Sequence, residues 1–381
     1  MNRTKRICSI LMLVLLVTTA LLTLSACSLA DLKSGISLHK DGVYFTVYVF
    51  KRYAIAHGFD VKDGAQVYEI PSRVKYKGIR YPVKRFSPSN SDYTYSMYDM
   101  VTGGGYAKEL IIPETMEELH LNKYNDEQLD LLQKVTVNSE NKCFVSIDGV
   151  VYTKDKSTLV FYPPAKVNNT LVLPKETTDI NDFLGAKTQL SAIAVEEGNT
   201  AYSAKDGVLF TADGTEMLCY PLNKSDEIYT IPKEWAVLNT SYFSYHRYLK
   251  YLEVEEGNKF YSAYNGDLYS VDGSILLFRP NHDDINVLEL PDTIKTVSKG
   301  MLTNVKFLFV PKGLQRIVFD RGYYDENDDG PISNVEYLYF EEDDVPFFLR
   351  YAKLTKNVKF GVTREQFQAE IEERFNKGDQ L

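Results

Sequence analysis

Residues 193–232 read IAVEEGNTAYSAKDGVLFTADGTEMLCYPLNKSDEIYTIP, and the same 40-residue block stands at 135–174 and 252–291 with no internal gap. Matching columns hold an apolar opening (Val135-Thr136-Val137, Ile193-Ala194-Val195, Leu252-Glu253-Val254), an asparagine (Asn141, Asn199, Asn258) and an aromatic residue (Phe144, Tyr202, Tyr261). A turn pair follows (Asp148-Gly149, Asp206-Gly207, Asn265-Gly266), then a proline (Pro163, Pro221, Pro280), and each copy closes on Leu-Pro or Ile-Pro. A block repeated at fixed register is a structural unit that cannot bury its apolar face alone, so copies stack against one another.

Each copy reads as four short strands. The first is the apolar opening. The second and third flank a turn at Lys154-Asp155, Asp213-Gly214 or Asp272-Gly273 and form a hairpin, entered through the Asp-Gly or Asn-Gly pair. The fourth closes on the terminal proline, which removes a donor and stops the ladder. A smaller period crosses the first: Leu119, Ile180, Leu238, Val297 and Ile317 each lie six places after a strand-ending proline (Pro113, Pro174, Pro232, Pro291, Pro311). The hairpins therefore read as insertions into a simpler coil.

The flanks differ. Residues 41–108 alternate polar and apolar positions between Gly and Asp-Gly turns, the pattern of a half-exposed sheet, and form an N-terminal β cap. Residues 109–360 carry the repeats. Residues 361–381 are expected to hold a helix of about 13 residues that covers the open edge of the stack, with Thr363 and Gln366 as a capping box and Phe367, Ile371 and Phe375 as one apolar stripe. Short helices are also expected at 93–100 and 126–133. The fold class is mainly β with short helices.

The strand-proline unit, as in Leu173-Pro174 to Ile180, with Phe183, Leu190 and Ile193-Ala194-Val195 at later apolar positions, resembles the BspA-type leucine-rich repeat proteins of bacteria. The asparagine column and the run from Asp206-Gly207 to Tyr220-Pro221 look like a hairpin element found between such repeats. The resemblance spans roughly 65–340 and departs from the pattern at 117–132 and 241–251. It implies a leucine-rich-repeat-like solenoid with inserted hairpins. It also implies a cell-surface interaction protein, with adhesion to host or matrix proteins, and brings no catalytic residue.

At the start, Arg3, Lys5 and Arg6 precede an apolar run at 7–24 and then Ser25-Ala26-Cys27. This is the layout of a secretory signal peptide (1–26), and Leu24-Ser25-Ala26-Cys27 resembles a bacterial lipobox with lipid on the Cys27 sulfur. A plain transmembrane anchor is the alternative. Residues 27–40 read as a lipidated tether to the membrane. Loss of the three leader cations takes the formal charge from −9 to −12, unfavourable for nucleic-acid binding. Cys143 and Cys219 fall in different columns; Cys219 aligns with Phe161 and Phe278 and reads as a small buried hydrophobe rather than half of a disulfide.

Asp325, Asn327, Asp329, Gly330 and Glu336 fit the spacing of a calcium loop, with Ile332 at its apolar position; the flanks read as strands, and a solvated acidic loop is the alternative. No cofactor is otherwise implied. The 28 tyrosines and the single tryptophan, Trp235, could form a glycan-binding face, but Tyr152 and Tyr269 fall in repeat columns, which favours packing. His39, His57, His120, His246 and His282 lack metal spacing, Glu196-Glu197 and Glu255-Glu256 read as a solvated face, and no nucleophile motif appears. The favoured reading is a non-catalytic, lipid-anchored, extracytoplasmic binding protein that uses its hairpins and the sheet face of the second and third copies. An envelope glycan-binding module is the alternative, and a loop-built enzyme site the weaker third. If 325–336 holds calcium, calorimetry of the soluble chain registers binding; no heat at millimolar calcium removes the reading.

Overall fold

A computed structural model describes residues 35–60, 67–87, 107–121, 130–180, 188–237, 243, 246–280, 287–302, 305–318, 335–345 and 357–376. Cys27, Asp325, Asn327, Asp329, Gly330 and Ile332, and the helices expected at 93–100 and for most of 126–133, lie outside them. The chain divides into two compact units, Met1–Asn169 with Pro174–Gln189, and Thr170–Leu173 with Leu190–Leu381.

The first unit opens on a sheet ordered Ile36–Lys40, Val43–Tyr48, Tyr53–Phe59, Ile79–Phe86, Arg73–Tyr76. The tether reading is corrected here. Ile36–Lys40 alternates and turns through Asp41-Gly42, both at positive φ, to pair with Val43–Tyr48, so strand structure begins at residue 36. Val47, Ala54, Ala56, Val83 and Phe86 share a core with Ile70, Leu110, Ile112, Leu132 and Val135. Beside that core Val67–Glu69, Glu109–Ile112 and Lys134–Val137 form a parallel ladder.

In the second unit, closing and opening strands pair in parallel. Leu171 meets Ile193 and Tyr229 meets Leu252, intervals of 22 and 23 residues. After Pro291 no hairpin stands among the described residues, and Val287–Glu289, Phe307–Val310, Tyr337–Phe340 and Asn357–Lys359 make one four-stranded parallel sheet. Leu288 meets Leu308, an interval of 20. Leu308 meets Leu338 after a longer interval of 30 and Leu338 meets Val358 after 20. Coils mostly of 20–23 residues, each laying one short strand into a parallel ladder, are the architecture of a leucine-rich-repeat-like solenoid.

Each copy holds five strands, not four. Phe144–Ile147, Tyr202–Lys205 and Tyr261–Tyr264 precede the turn pair and form the edge of a three-stranded antiparallel sheet. Tyr202-Ser203-Ala204-Lys205 contains small and polar residues of weak strand preference, and only pairing with Val208–Thr211 makes it a strand. The turn pairs adopt positive φ at both positions (48° and 78° at Asp148-Gly149, 51° and 79° at Asp206-Gly207, 50° and 84° at Asn265-Gly266), as a type I′ hairpin requires.

The turn also ends the ladder. The N–H groups of Val135, Ile193 and Leu252 donate to the carbonyls of Gly149, Gly207 and Gly266 at 2.9, 2.9 and 2.7 Å. A β-carbon on Gly266 would stand 2.4 Å from the Tyr251 ring, and one on Gly149 would stand 2.7 Å from Lys134 Cβ. Glycine is thus required both for its conformation and for close approach.

The asparagine column fastens coil to coil. Asn141 is fully buried; its Nδ2 donates to the carbonyls of Pro113 (2.8 Å) and Met116 (3.0 Å), and its Oδ1 accepts from the amides of Cys143 and Phe144, both at 2.8 Å. Asn258 makes the same bonds to Pro232 (2.9 Å), Trp235 (3.4 Å), Phe260 (2.8 Å) and Tyr261 (2.9 Å). Asn199 Oδ1 accepts from Ala201 and Tyr202.

The inward column after each strand-ending proline lies three places on, not six. Met116, Thr177, Trp235, Ile294 and Leu314 are all buried, and each amide donates to the proline carbonyl, closing a turn. Among the residues six places on, Val297 is buried but Leu119, Ile180 and Ile317 are half-exposed. In the opening strand Val135, Ile193 and Leu252 are buried, whereas Val137, Val195 and Val254 are half-buried.

The second hairpin turn is also repeated in detail. Thr153, Thr211 and Ser270 donate their hydroxyls to Asp155, Asp213 and Asp272 at 2.7, 2.6 and 2.6 Å. The same carboxylate oxygens accept the amides of Ser157, Thr215 and Ser274. The Thr153 hydroxyl and then the Ser157 amide hold Asp155 down at about 2; the hydroxyls of Ser270 and Ser274 do the same for Asp272, also at about 2, and Asp213 is lowered likewise.

These contacts have measurable consequences. Gly266→Ala destabilises the fold by about 1–2 kcal/mol for its conformation and about 1–3 kcal/mol more for the overlap with Tyr251, whereas Gly198→Ala, with open space around it, loses only the first. Urea denaturation ranks the two, and equal losses would contradict the close approach. The aspartate turns are ionised in the fold well below the unfolded carboxylate pKa of about 3.9. Their contribution is therefore full above about pH 4 and is lost as pH falls through about 2. Asp155→Asn and Asp272→Asn flatten the fall of stability over that window in acid-titrated unfolding.

Candidate interaction surface

The ladder presents two faces. In the second unit Leu171, Leu173, Ile193, Tyr229, Ile231 and Leu252 point into the core. Between them Val172 and Ile228, each 51% exposed, and Ala194, Thr230 and Glu253 point out. Thr230 Oγ1 donates to Glu253 Oε2 at 3.1 Å across the paired strands, which fixes that carboxylate on the face. The hairpin of the second copy is tied down at its border: Lys205 Nζ bonds Glu255 at 2.8 Å, and Glu255 also accepts the Lys233 amide at 3.1 Å. Glu255 is therefore a clip, while Glu197 and Glu256 are exposed.

Further along, the outward residues become aromatic and are covered. Phe307, Phe309 and Tyr339 are buried together with Phe367 of the C-terminal helix Arg364–Asn376. Phe367 packs 5.3 Å from Phe309 and edge-on to Tyr339 at 4.9 Å, and the Arg374 guanidinium lies 4.4 Å from the Tyr337 ring. Arg364 pairs with Glu289 and Asp292, donates to the Leu290 carbonyl at 2.8 Å and to Tyr264 Oη at 3.1 Å, and lies 4.9 Å from the Phe309 ring centroid. Glu370 accepts from Tyr339 Oη (2.9 Å) and Lys359 (2.6 Å).

The capping box is present, with the Thr363 amide donating to Gln366 Oε1 at 2.9 Å and the Gln366 amide to Thr363 Oγ1 at 3.3 Å. The helix covers a sheet face, however, and not the last open edge. Ile371 is partly buried but Phe375 is 69% exposed, so the stripe ends one turn early. The sequence carries a signal for this. Phe307–Val310 (FLFV) is buried at every position and Tyr337–Phe340 (YLYF) nearly so, the continuous run of a strand covered on both faces. Thr170–Leu173 and Ile228–Ile231 alternate instead. Val287–Glu289, the closing strand of the third copy, lies under the helix, so among the described residues of the second unit the face stays open on the ladder of Thr170–Leu173 with Ala192–Val195 and on that of Ile228–Ile231 with Tyr251–Val254.

The other candidates resolve as follows. Trp235 is fully buried between Phe243 and Tyr261, and Tyr152, Tyr162, Tyr220, Tyr229 and Tyr269 are buried as well, so these rings pack the core. Both Cys143 and Cys219 are free thiols, and burial pushes Cys219 up to about 12. Cys219 fills the column of Phe161 and Phe278, all three buried. Glu336 precedes Tyr337–Phe340 with its carboxylate 3.8 Å from Lys306. Among the described residues no group of three or more His, Cys, Asp or Glu stands together to hold a metal. His57 is buried between the Ser87 carbonyl (2.9 Å) and the Thr46 hydroxyl (3.1 Å), and burial lowers its pKa. Among the described residues no helix is long and apolar enough to cross a membrane.

One substitution departs from the repeat in a way that pairs two columns. The first two copies place Val150 with Tyr162 and Val208 with Tyr220; the third places the buried Asp267 with the largely covered Arg279, 3.5 Å apart. A charge at one position is matched by its opposite at the other, as an interior site requires.

Strand pairing, coil length and asparagine clips together define a leucine-rich-repeat-like β protein with inserted hairpins. No family model and no curated protein matches the chain. Among solved structures it is similar to the pneumococcal vaccine antigen PcpA, at 16% identity and TM-score 0.39 over 87% of this chain and 89% of that one. It is also similar to a leucine rich cell surface protein from Faecalibacterium prausnitzii, at 13% and 0.37 over 88% and 97%. A leucine-rich repeat protein from Bacteroides ovatus aligns at 13% and 0.34 over 85% and 76%.

Removing the helix anchor tests the covered face. Phe367→Ala weakens docking by about 3–5 kcal/mol, so trypsin cuts after Arg364 and Arg374 while the repeats stay intact. Unchanged protection of both sites would contradict the packing.

Proposed function

We propose that the chain is a non-catalytic, extracytoplasmic binding protein, held to a bacterial membrane by lipid on Cys27, that engages a partner protein through the open outward face of its parallel ladders. The observation that carries this reading is the exposure of Val172 and Ile228, one on each of two parallel ladders, with Ala194, Thr230 and Glu253 outward beside them and the C-terminal helix seated on the outward side of the sheet further along. Apolar residues rimmed by polar ones are the composition of a docking surface. The leader with its lipobox supports export and anchoring.

The test is a pull-down from cell-surface extracts with the lipid-free chain from residue 28 onward. A protein captured by the parent chain and lost with Val172→Asp and Ile228→Asp supports the reading. Capture of a glycan, unchanged by those substitutions, favours a glycan-binding module instead. The anchor is tested separately by metabolic labelling with palmitate, which Cys27→Ala abolishes; label retained in that variant excludes Cys27 as the site.

A further inference from the structure

We infer that the turn at residues 49–52 in the N-terminal sheet is a second membrane contact, seating Phe50 against an anionic lipid surface. The inference rests on the anchored reading above and adds to it an orientation. Phe50 is 60% exposed at the tip of the turn between Val43–Tyr48 and Tyr53–Phe59, and Lys51 and Arg52 beside it are exposed. Val49 packs inward against the core, so Phe50 is not a spare core residue. The base of the turn is firm: Tyr48 and Tyr53 stack at 5.2 Å, Lys51 Nζ lies 5.2 Å over the Tyr48 ring, and Arg52 holds a positive φ of 59°.

Position makes the turn a membrane element. Ile36 pairs with Val47, and Tyr48 with Tyr53, so the chain enters the sheet at the same end as the turn. Gly35 lies so close that a β-carbon on it would stand 2.4 Å from Thr46 Cγ2 and 3.1 Å from the Tyr48 ring. From Cys27 to that point only residues 28–35 intervene, a reach of at most about 29 Å at roughly 3.3–3.6 Å per residue. A lipid on Cys27 therefore keeps the tip within a short distance of the headgroups.

Charge agrees with position. The far end of the same strands carries Asp41 and Asp60, the latter bonded to His39 at 2.8 Å, with Lys40 beside Asp41, while the turn end carries Lys51 and Arg52 together. Arg85, whose strand pairs with Tyr53–Phe59, brings Glu118 to this side but holds it in an ion pair. An aromatic ring flanked by cations suits the boundary between headgroups and acyl chains, and lysine and arginine near an anionic leaflet are attracted to it. The rest of the chain is acidic and repelled, so contact at one tip fixes how the N-terminal sheet stands on the surface.

The experiment uses the whole chain with residues 1–26 replaced by hexahistidine, held by nickel-chelating lipid on vesicles of phosphatidylglycerol and phosphatidylcholine. Phe50→Trp adds a reporter; the native Trp235 is fully buried and supplies a constant background. Phosphatidylcholine brominated in its acyl chains should quench the added emission at least about twofold relative to unbrominated vesicles, as an interfacial ring requires. Lys51→Glu with Arg52→Glu should abolish that quench. Equal emission on both vesicle types overturns the contact, and full quench in the charge-reversed variant overturns the anionic assignment. The nickel tether stands in for Cys27, so a failed palmitate label would sink the anchor reading without obscuring this result.

Discussion

A buried asparagine amide that bonds the backbone of two successive coils is the contact on which this fold depends. Two parallel strands alone are a weak sheet. In the second unit the ladders of the hairpin-bearing copies are only two strands wide, because an inserted turn occupies the place of a third. What keeps them is the asparagine side chain, half-buried at Asn258 and bonded at both its amide nitrogen and its oxygen, and the glycine carbonyl that accepts the opening strand's amide. Removing one partner would leave several buried backbone groups unpaired, each costing about 1–3 kcal/mol. The repeat therefore retains asparagine and glycine where sheet packing alone would tolerate many residues.

From this lock the surface follows. The hairpins interrupt the ladder and carry buried aromatic columns of their own, so tyrosine-rich sequence there is interior. Beyond Pro291 the described residues hold no hairpin, the sheet widens to four strands and its outward side turns aromatic. The C-terminal helix takes that side with one phenylalanine and two arginine clusters. Solvent reaches the face where its residues alternate, as around Val172 and Ile228. The Asp267–Arg279 pair marks the third copy as the one whose interior has diverged while the backbone stayed in register.

Much of this was legible in the chain. The three copies announced the stacking, the positive-φ turns and the buried Cys219 column, because each depends on local chemistry repeated three times, and the capped helix was legible from Thr363 and Gln366. The strand at Tyr202–Lys205 was not legible, since its residues gain strand structure only from a neighbour. The inward column three places after each proline escaped notice because its members, Met116, Thr177, Trp235, Ile294 and Leu314, share no chemistry, only a position. The helix was placed on an edge because its own stripe does not say what it meets; the continuous apolar runs FLFV and YLYF did.

The central claim is that the closing strand of one copy lies in parallel register with the opening strand of the next. Cysteines at Thr230 and Glu253, in a chain with Cys143→Ser, test it by oxidation and peptide mapping. The register places these residues directly opposite on the outward face, within the span a disulfide bridges. Rapid formation of the 230–253 bond is the predicted result. No bond there, with faster bonding when the second cysteine is moved to Tyr251, would mean a slipped register and would contradict the stacked architecture.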